Sequence, residues 1–196
     1  GEGAGKSTQA RGLVERLRRS GIGVVATREP GGSPGAEAIR HVLLSGAAQA
    51  MGEDTEAMLF AAARADHVDQ TIRPALERGD WVVCDRFADS TRVYQSSVGK
   101  ALIDALEQVA LDGVKPDLTL LLDLPAEVGL ARAASRRGDG EVVDRFERDE
   151  LALHEARRQA FLSLARKEAD RFVVVDASRD PTTVADAVWY AVSARL

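Results

Sequence analysis

The 196-residue sequence contains one cysteine and no asparagine, and these absences exclude several classes of protein. A single cysteine, Cys84, excludes an internal disulfide framework and a zinc site made of several thiolates, and it fits a reducing compartment. We interpret Cys84 as a small buried hydrophobic residue. The Asn-Lys-x-Asp base motif of GTPases cannot occur, and no aspartate is followed three residues later by glycine, so the sequence argues against a GTPase.

The sequence also lacks an excess of basic residues and any long apolar run. Lys and Arg number 26 against 31 Asp and Glu, a net charge of -5, so no basic field would attract nucleic acid or an anionic membrane. No apolar segment approaches the ~20 residues that cross a bilayer, and the first residues do not follow the order of a signal peptide. We therefore expect a cytoplasmic protein with no nucleic-acid or membrane partner.

Short β-branched segments alternate with longer segments of helical periodicity. Buried strands are predicted over 23–27, 81–85, 118–123 and 172–176. Helices are predicted at about 6–20, 34–44, 54–77, 100–111, 126–137, 148–168 and 182–195. This alternation is typical of an α/β fold with a parallel sheet, where ligands collect at the carboxyl ends of the strands. No repeat, linker or shift in composition is visible, so we expect a single domain over 1–196.

The first eight residues have the character of a phosphate-binding loop. They are Gly1, Glu2, Gly3, Ala4, Gly5, Lys6, Ser7 and Thr8. They fit G-x-x-x-x-G-K-[ST] except for its first glycine, so we expect a glycine and an apolar strand before Gly1. In such a loop the backbone amides face a polyphosphate, Lys6 reaches the β and γ oxygens, and Ser7 can bind Mg²⁺. A glycine-rich helix cap is the weaker alternative, and the loop alone does not identify the reaction.

Arginines follow two of the predicted strands, at the edge where ligands collect. Arg28 and Arg86, with Arg40 on the next helix, could clamp a second phosphate, although each alone is more often a surface residue. Asp85 ends its strand as a magnesium-binding acid does, and a structural acid or helix cap is the alternative. Together with the phosphate loop, these residues favour a site with two phosphates and a metal ion.

Phe60 and Arg64 are four residues apart on the helix predicted over 54–77 and therefore share one face. The ring could stack on a planar ligand while the guanidinium binds its edge. A phenylalanine at this spacing is more often part of the core, and the spacing alone does not decide between the two.

Taken in order, these motifs resemble the thymidylate kinase family over nearly the whole chain. The resemblance rests on the phosphate loop, Arg28 to Gly32, Phe60 with Arg64, Asp85-Arg86-Phe87, Ser90-Thr91, Tyr94-Gln95, Pro116 to Thr119, and Asp144 to Glu147. It implies transfer of the γ-phosphoryl group of ATP to dTMP with Mg²⁺, and a homodimer formed through helices away from the active site. It also implies a three-layer P-loop NTPase sandwich, with helices on both faces of a parallel sheet of about five strands, and a short lid at about 132–147.

The resemblance further implies a role for individual residues. The phosphate loop would hold ATP. The dTMP phosphate would lie among Arg28, Arg40 and Arg86, with Glu29 nearby. The nucleoside would lie among Phe60, Arg64, Thr91, Tyr94 and Gln95. The metal ligands would be Ser7, Asp85 and Glu29. The catalytic residues would be Lys6, Arg86 and the lid arginines Arg132, Arg136 and Arg137.

Two alternatives stay open on the sequence. Another nucleoside or nucleotide kinase of the same fold would share every motif except the base pocket. A P-loop binding module without activity would not need the lid arginines. We interpret the histidines His41, His67 and His154 as surface or packing residues.

Overall fold

Two pairs of parallel strands and the helices that connect them form an α/β fold. The computed structural model describes residues 1–136, apart from the Arg136 side chain, and residues 150–196. The strands are β1 (Val24–Arg28), β2 (Trp81–Asp85), β3 (Thr119–Asp123) and β4 (Phe172–Asp176). The α-helices are α1 (Lys6–Arg19), α2 (Pro34–Ser45), α3 (Glu53–His67), α4 (Arg73–Glu77), α5 (Ala88–Tyr94), α6 (Lys100–Leu111), α7 (Ala126–Arg136), α8 (Leu151–Lys167) and α9 (Pro181–Ser193).

All four strands lie within one residue of their predicted positions, and they pair in parallel. β1 pairs with β2 from Val24 opposite Trp81 to Arg28 opposite Asp85. β3 pairs with β4 up to Asp123 opposite Asp176. In the described residues these are two separate sheets, because no described strand hydrogen-bonds to both pairs.

The prediction that these strands are buried was largely wrong. Every residue of β2 is half-buried, and Val174 of β4 is 48% exposed. A parallel strand is fully buried only when both faces and both edges are covered. Each described sheet has only two strands, so every strand has an open edge within its own sheet.

The helix predicted over 54–77 is interrupted. α3 ends at His67, a π-helical segment spans Val68–Ile72, and α4 follows. Pro74, in the first turn of α4, has no N–H with which to continue the α-helical bonding, and the wider π turn precedes it. Two elements were not predicted: the short helix α5 and a 3₁₀ turn over Ala47–Met51.

The chain divides into two compact units. Gly1–Leu13 and Pro116–Leu196 form the first, here called the split unit, and Val14–Lys115 forms the second, the middle unit. In the middle unit, α3 packs on α6 through Ala57 and Ile103, together with Val98 just before α6, and all three are buried. The single domain expected over 1–196 stays a prediction, since one domain can contain two such units. No helix in the described part of the chain is long and apolar enough to span a membrane.

Candidate active site

A buried ionic cluster lies in the middle unit, where the loop after β1 meets α3. We call Glu29, Arg64, His67 and Thr91 the buried cluster; each is at most 7% exposed. Arg64 donates from Nε to Glu29 Oε2 at 2.8 Å, Nη2 also lies 2.8 Å from that oxygen, and Nη2 donates to Thr91 Oγ1 at 3.1 Å. The guanidinium carbon lies 5.6 Å from the centre of the Phe87 ring. Two bonds to one carboxylate and a ring contact fix the plane of the arginine.

The remaining predicted nucleoside residues are Phe60 on α3, Tyr94 at the end of α5 and Gln95 directly after it. Phe60 is half-buried and lies one turn before Arg64 on α3. Gln95 is 4% exposed and donates from Nε2 to Glu56 Oε1 at 3.4 Å. Arg64 and Thr91, which were predicted for one pocket, are in direct contact, and the aromatic ring that Arg64 contacts is that of Phe87.

Arg86 occupies a strained turn directly after β2. Its backbone φ is +69°, a left-handed value that non-glycine residues adopt at a cost of about 1–3 kcal/mol. Its Nη1 donates to the Tyr94 hydroxyl at 3.3 Å, and its guanidinium lies 5.2 Å from the Tyr94 ring centre. The Cys84 thiol donates to the Arg86 carbonyl at 2.9 Å, and burial raises the pKa of that thiol. The turn thus presents Arg86 beside Tyr94 in a fixed orientation.

The two other arginines predicted to bind phosphate make hydrogen bonds that connect β1, the loop after it and α2. Arg28 donates to Glu37 Oε1 at 3.0 Å, and the Gly32 amide donates to the same oxygen at 3.0 Å. These contacts hold the pKa of Glu37 below its usual range, with the Gly32 bond the largest cause. Arg40 donates to the Pro30 carbonyl at 2.5 Å. Arg28 is 56% exposed, so its guanidinium is accessible to a ligand.

The phosphate loop is part of the split unit. Gly3 has a φ of +67°, and a Cβ there would lie 1.9 Å from the Gly129 carbonyl oxygen of α7, so only glycine fits. Lys6 is half-buried and donates from Nζ to the Gly1 carbonyl at 2.6 Å, while Ser7 and Thr8 are exposed. Because α1 begins at Lys6, its N-terminal amides adjoin the loop, as anion binding requires.

The predicted lid is only partly described. Arg132 donates to the backbone carbonyls of Ala177 at 2.7 Å and Ser178 at 3.1 Å, so it joins α7 to the turn after β4. α7 ends at Arg136, whose side chain lies outside the described residues, as do Arg137 and the rest of 137–149. The catalytic roles of Arg132, Arg136 and Arg137 stay predictions.

Of the residues predicted to bind Mg²⁺, Ser7 belongs to the split unit and Asp85 to the middle unit. Ser7 offers an exposed hydroxyl, and Asp85 ends β2, where its backbone carbonyl accepts from the Glu29 amide at 3.0 Å. No group of three His, Cys, Asp or Glu side chains that could hold a metal ion is found among the described residues. Both oxygens of Glu29 already accept bonds from Arg64 and His67, so its metal role stays a prediction.

Sequence reasoning missed His67 as a site residue. Interpreted there as a surface or packing residue, it is fully buried and hydrogen-bonded to Glu29 and Thr27. Asp66 was also missed; it accepts from the Ser33 hydroxyl at 2.6 Å and from the Ala36 amide at 3.0 Å. The one signal for His67 in the sequence was its place on the same helix, three residues after Arg64, which puts the two side chains on one face.

Comparison with known proteins identifies relatives along the full chain. The family model described as thymidylate kinase matches residues 1–188. A thymidylate kinase of Bradyrhizobium diazoefficiens is 53% identical over 199 residues, covering 100% of this chain and 87% of that protein. One from Nitrobacter winogradskyi is 54% identical over 198 residues, covering 100% of this chain and 86% of that protein. One from Rhodopseudomonas palustris is 54% identical over 200 residues, covering 100% of this chain and 86% of that protein.

Proposed function

The chain belongs to the thymidylate kinase family and is a phosphotransferase that phosphorylates dTMP with ATP, and we propose how its residues divide this work. The phosphate loop of the split unit binds ATP. The buried cluster and the Arg86 turn of the middle unit bind dTMP. Another nucleotide kinase and an inactive P-loop module, the alternatives that the sequence leaves open, are not favoured by the family match.

The buried Arg64 is the observation that carries the proposal for dTMP. Its Nε and Nη2 are committed to Glu29 and Thr91, and Nη1 takes no part in these bonds. Nη1 would donate to the O4 oxygen of thymine while the Phe60 ring, one helical turn away, stacks on the base. Thr91, Tyr94 and Gln95 would complete the nucleoside pocket.

Three arginines would hold the dTMP phosphate. Arg28 ends β1, Arg40 lies on α2 and Arg86 follows β2, so all three belong to the middle unit. The acceptor is itself a phosphate with a second pKa of about 6, so its attacking oxygen is largely ionised at neutral pH and needs no strong general base. The protein would contribute position and positive charge, which is how most phosphoryl-transfer enzymes work.

On the donor side, Lys6 and the loop amides would neutralise the ATP phosphates. Ser7 and Asp85 would hold Mg²⁺, which neutralises charge on the phosphates and orients them when bound. Arg132, Arg136 and Arg137 would add positive charge at the transition state. If they do, alanine at both positions 136 and 137 lowers kcat far more than the affinity for dTMP, and an unchanged kcat removes these arginines from the mechanism.

The remaining proposals concern fold, assembly and location. Family membership supports a three-layer sandwich around a parallel sheet of about five strands. We propose a homodimer formed through helices away from the site, supported by the exposed apolar side chains of Met58 on α3 and Val109 on α6, 47% and 76% exposed. Sedimentation velocity tests whether the protein is a dimer in solution.

We also propose a cytoplasmic location, which the single cysteine favours.

A coupled assay for ADP tests the proposed reaction. The protein is incubated with ATP and Mg²⁺, and ADP formation is followed with and without dTMP. ADP that appears only with dTMP, together with dTDP detected by chromatography, supports the proposal. ADP formation independent of dTMP indicates an ATPase, and no ADP under either condition indicates an inactive binding module.

A further inference from the structure

His67 is a fully buried histidine that has hydrogen bonds at both ring nitrogens. It is the last residue of α3 and is 0% exposed. Its Nδ1 lies 3.1 Å from Glu29 Oε1, and its Nε2 lies 2.6 Å from Thr27 Oγ1 at the end of β1. The ring therefore joins α3 to β1 and to the loop that follows it.

The chemistry of the two partners fixes the direction of these bonds. A carboxylate only accepts hydrogen bonds, so Nδ1 carries a proton and donates to Glu29. In the neutral ring, Nε2 then accepts from the Thr27 hydroxyl. With both nitrogens engaged, the ring can neither flip nor rotate without breaking a buried hydrogen bond.

Glu29 connects this histidine to the arginine proposed to recognise the base. Its Oε1 accepts from His67, and its Oε2 accepts from Arg64. Holding Oε1 on one side sets the rotation of the carboxylate, which places Oε2 opposite Nε and Nη2 of Arg64. His67 thus controls the plane of the guanidinium without being bonded to it.

Gly32 leaves the space that the histidine occupies. It has a φ of +89°, and a Cβ at this position would lie 2.3 Å from Thr27 Oγ1 and 2.5 Å from His67 Nε2. Any larger residue would displace the bond between those two atoms. The loop is therefore shaped around the Thr27–His67 bond, in addition to the phosphate site expected there.

We propose that His67 is a positioning residue for dTMP recognition: through Glu29 it holds Arg64 in the orientation that binds the base. This rests on the proposed role of Arg64 at thymine. His67 does not touch dTMP and takes no part in phosphoryl transfer, so its effect falls on the KM for dTMP and leaves the KM for ATP unchanged.

Two amide substitutions separate the two ends of the ring. In His67→Asn the amide nitrogen lies near the position of Nδ1 and can still donate to Glu29. In His67→Gln the amide lies near the position of Nε2, where its oxygen accepts from the Thr27 hydroxyl, and the bond to Glu29 is lost. We expect the KM for dTMP to be near that of the unmodified enzyme in His67→Asn and raised about tenfold in His67→Gln, with kcat changed less than about twofold in both. The opposite order, or equal effects, would overturn the proposal.

Thr71→Val is the matched control. Thr71, in the adjacent π segment, donates to the Gly32 carbonyl at 2.7 Å, so its loss weakens the same contact between helix and loop without touching Glu29 or Arg64. We expect its KM for dTMP to be unchanged. A rise equal to that of His67→Gln would show that His67 acts only by holding the loop, and would contradict the proposal.

A double-mutant cycle tests whether His67 acts through Arg64. His67→Leu is made in the unmodified enzyme and in Arg64→Ala, with thermal unfolding checking that each variant is folded at the assay temperature; His67→Gln replaces it if it is not. Once Arg64 is absent, the His67 change should no longer raise the KM for dTMP. Equal fold-changes in the KM for dTMP in both backgrounds would mean that the role of His67 is merely structural.

The single variants separate the failure of this inference from the failure of the proposed base site. If Arg64→Ala alone leaves the KM for dTMP unchanged, the proposed base site is wrong. If Arg64→Ala raises that KM and the His67 change does not, only this inference fails.

Discussion

The phosphate loop and the buried cluster place their charged and polar side chains in opposite surroundings. In the loop, Ser7 and Thr8 are exposed, and Lys6 reaches back to a carbonyl five residues earlier. In the buried cluster, Glu29 and Arg64 are 7% and 4% exposed, and each satisfies the other. The loop depends on small residues and backbone amides, whereas the cluster depends on paired side chains from distant parts of the sequence.

This difference predicts which property each region supports. A side chain that is partly or wholly exposed contributes less to folding than a buried one, so its loss should affect mainly the chemistry. A buried ion pair stabilises the fold only while both partners are present, because an isolated buried charge is costly. Substitutions in the loop should therefore reduce turnover at constant stability, and substitutions in the cluster should reduce stability and dTMP affinity together.

Lys6→Ala should produce the largest loss of activity. Removing a positive charge from the donor phosphates should lower kcat about a hundredfold to a thousandfold, the range found when one transition-state donor is removed. The melting temperature should change by less than about 2 °C, because Lys6 is only half-buried and stands at the start of α1. Coupled ADP assays and thermal unfolding measure the two effects.

Lys167→Ala is the control for this change. Lys167 is an exposed lysine in the last turn of α8, so its loss removes a positive charge without touching the loop. We expect activity within about twofold of the unmodified enzyme. If Lys6→Ala instead abolishes cooperative unfolding, the lysine is a structural residue and the contrast between loop and cluster fails.

Glu29→Gln should show the behaviour expected of the cluster. It leaves the Arg64 charge buried without its counter-ion, and breaking a buried pair in this way costs about 3–5 kcal/mol of unfolding free energy. Urea unfolding measures this cost, and the KM for dTMP should rise at the same time because Arg64 loses its orientation.

The same variant also separates two roles predicted for Glu29. If its carboxylate serves Arg64, the Mg²⁺ concentration needed for half-maximal rate is unchanged in Glu29→Gln. If it serves as a metal ligand, that concentration rises while the KM for dTMP stays constant. A stable variant with normal dTMP affinity would contradict the importance assigned to the buried pair.

Discrimination between bases should show a smaller effect. If Arg64 donates to O4 of thymine, then cytosine, which has an amino donor at that position, leaves the guanidinium unpaired. An unsatisfied buried donor costs about 1–3 kcal/mol, so kcat/KM for dCMP should be at least about tenfold below that for dTMP. dUMP should be rejected less strongly, because one methyl group in an apolar pocket has a smaller effect than an unpaired charge.

Arg64→Ala completes this test. It should lower activity toward dTMP and narrow the difference between dTMP and dCMP. Equal kcat/KM for the two nucleotides in the unmodified enzyme would mean that Phe60 and Arg64 are packing residues. The site at thymine would then be wrong even though the chain transfers phosphate.

The features predictable from sequence were those encoded by local pattern. β2 and β4 begin and end where their apolar runs do, and Gly-Lys-Ser-Thr predicts the start of α1 at Lys6. Arg28, which ends β1, and Arg86, which follows β2, lie at the same edge of the sheet because parallel pairing brings Arg28 opposite Asp85. Each of these follows from residues within one segment and the alternation of strands and helices.

What the sequence could not supply were contacts between segments far apart in the chain. Arg64 and Glu29 are separated by 35 residues, and nothing in the spacing of either reveals that they pair. His67 on a helical pattern could equally have faced solvent. Arg132 was assigned to the lid by its neighbours, yet it donates to carbonyls 45 and 46 residues away. Side-chain partners of this kind are set by tertiary packing and leave no periodic signal.

The smallest expected effect is at Glu37 in the middle unit. It tests whether burial is the reason that the buried cluster stabilises the fold more than an exposed ion pair does. Glu37 is paired with Arg28 as Glu29 is with Arg64, but these two side chains are 44% and 56% exposed. Glu37→Gln should therefore cost less than about 1 kcal/mol at pH 7, as exposed ion pairs do. Because the folded protein holds the pKa of Glu37 below the ordinary 4.5, its contribution is present above that pH and is lost as the pH falls through the lower, folded value. The difference in unfolding free energy between Glu37→Gln and the unmodified protein should accordingly be constant from pH 8 to about pH 5 and shrink below about pH 4.5. Urea unfolding across this range measures it, and a cost as large as that of Glu29→Gln would mean that pairing with arginine, and not burial, gives the cluster its stability.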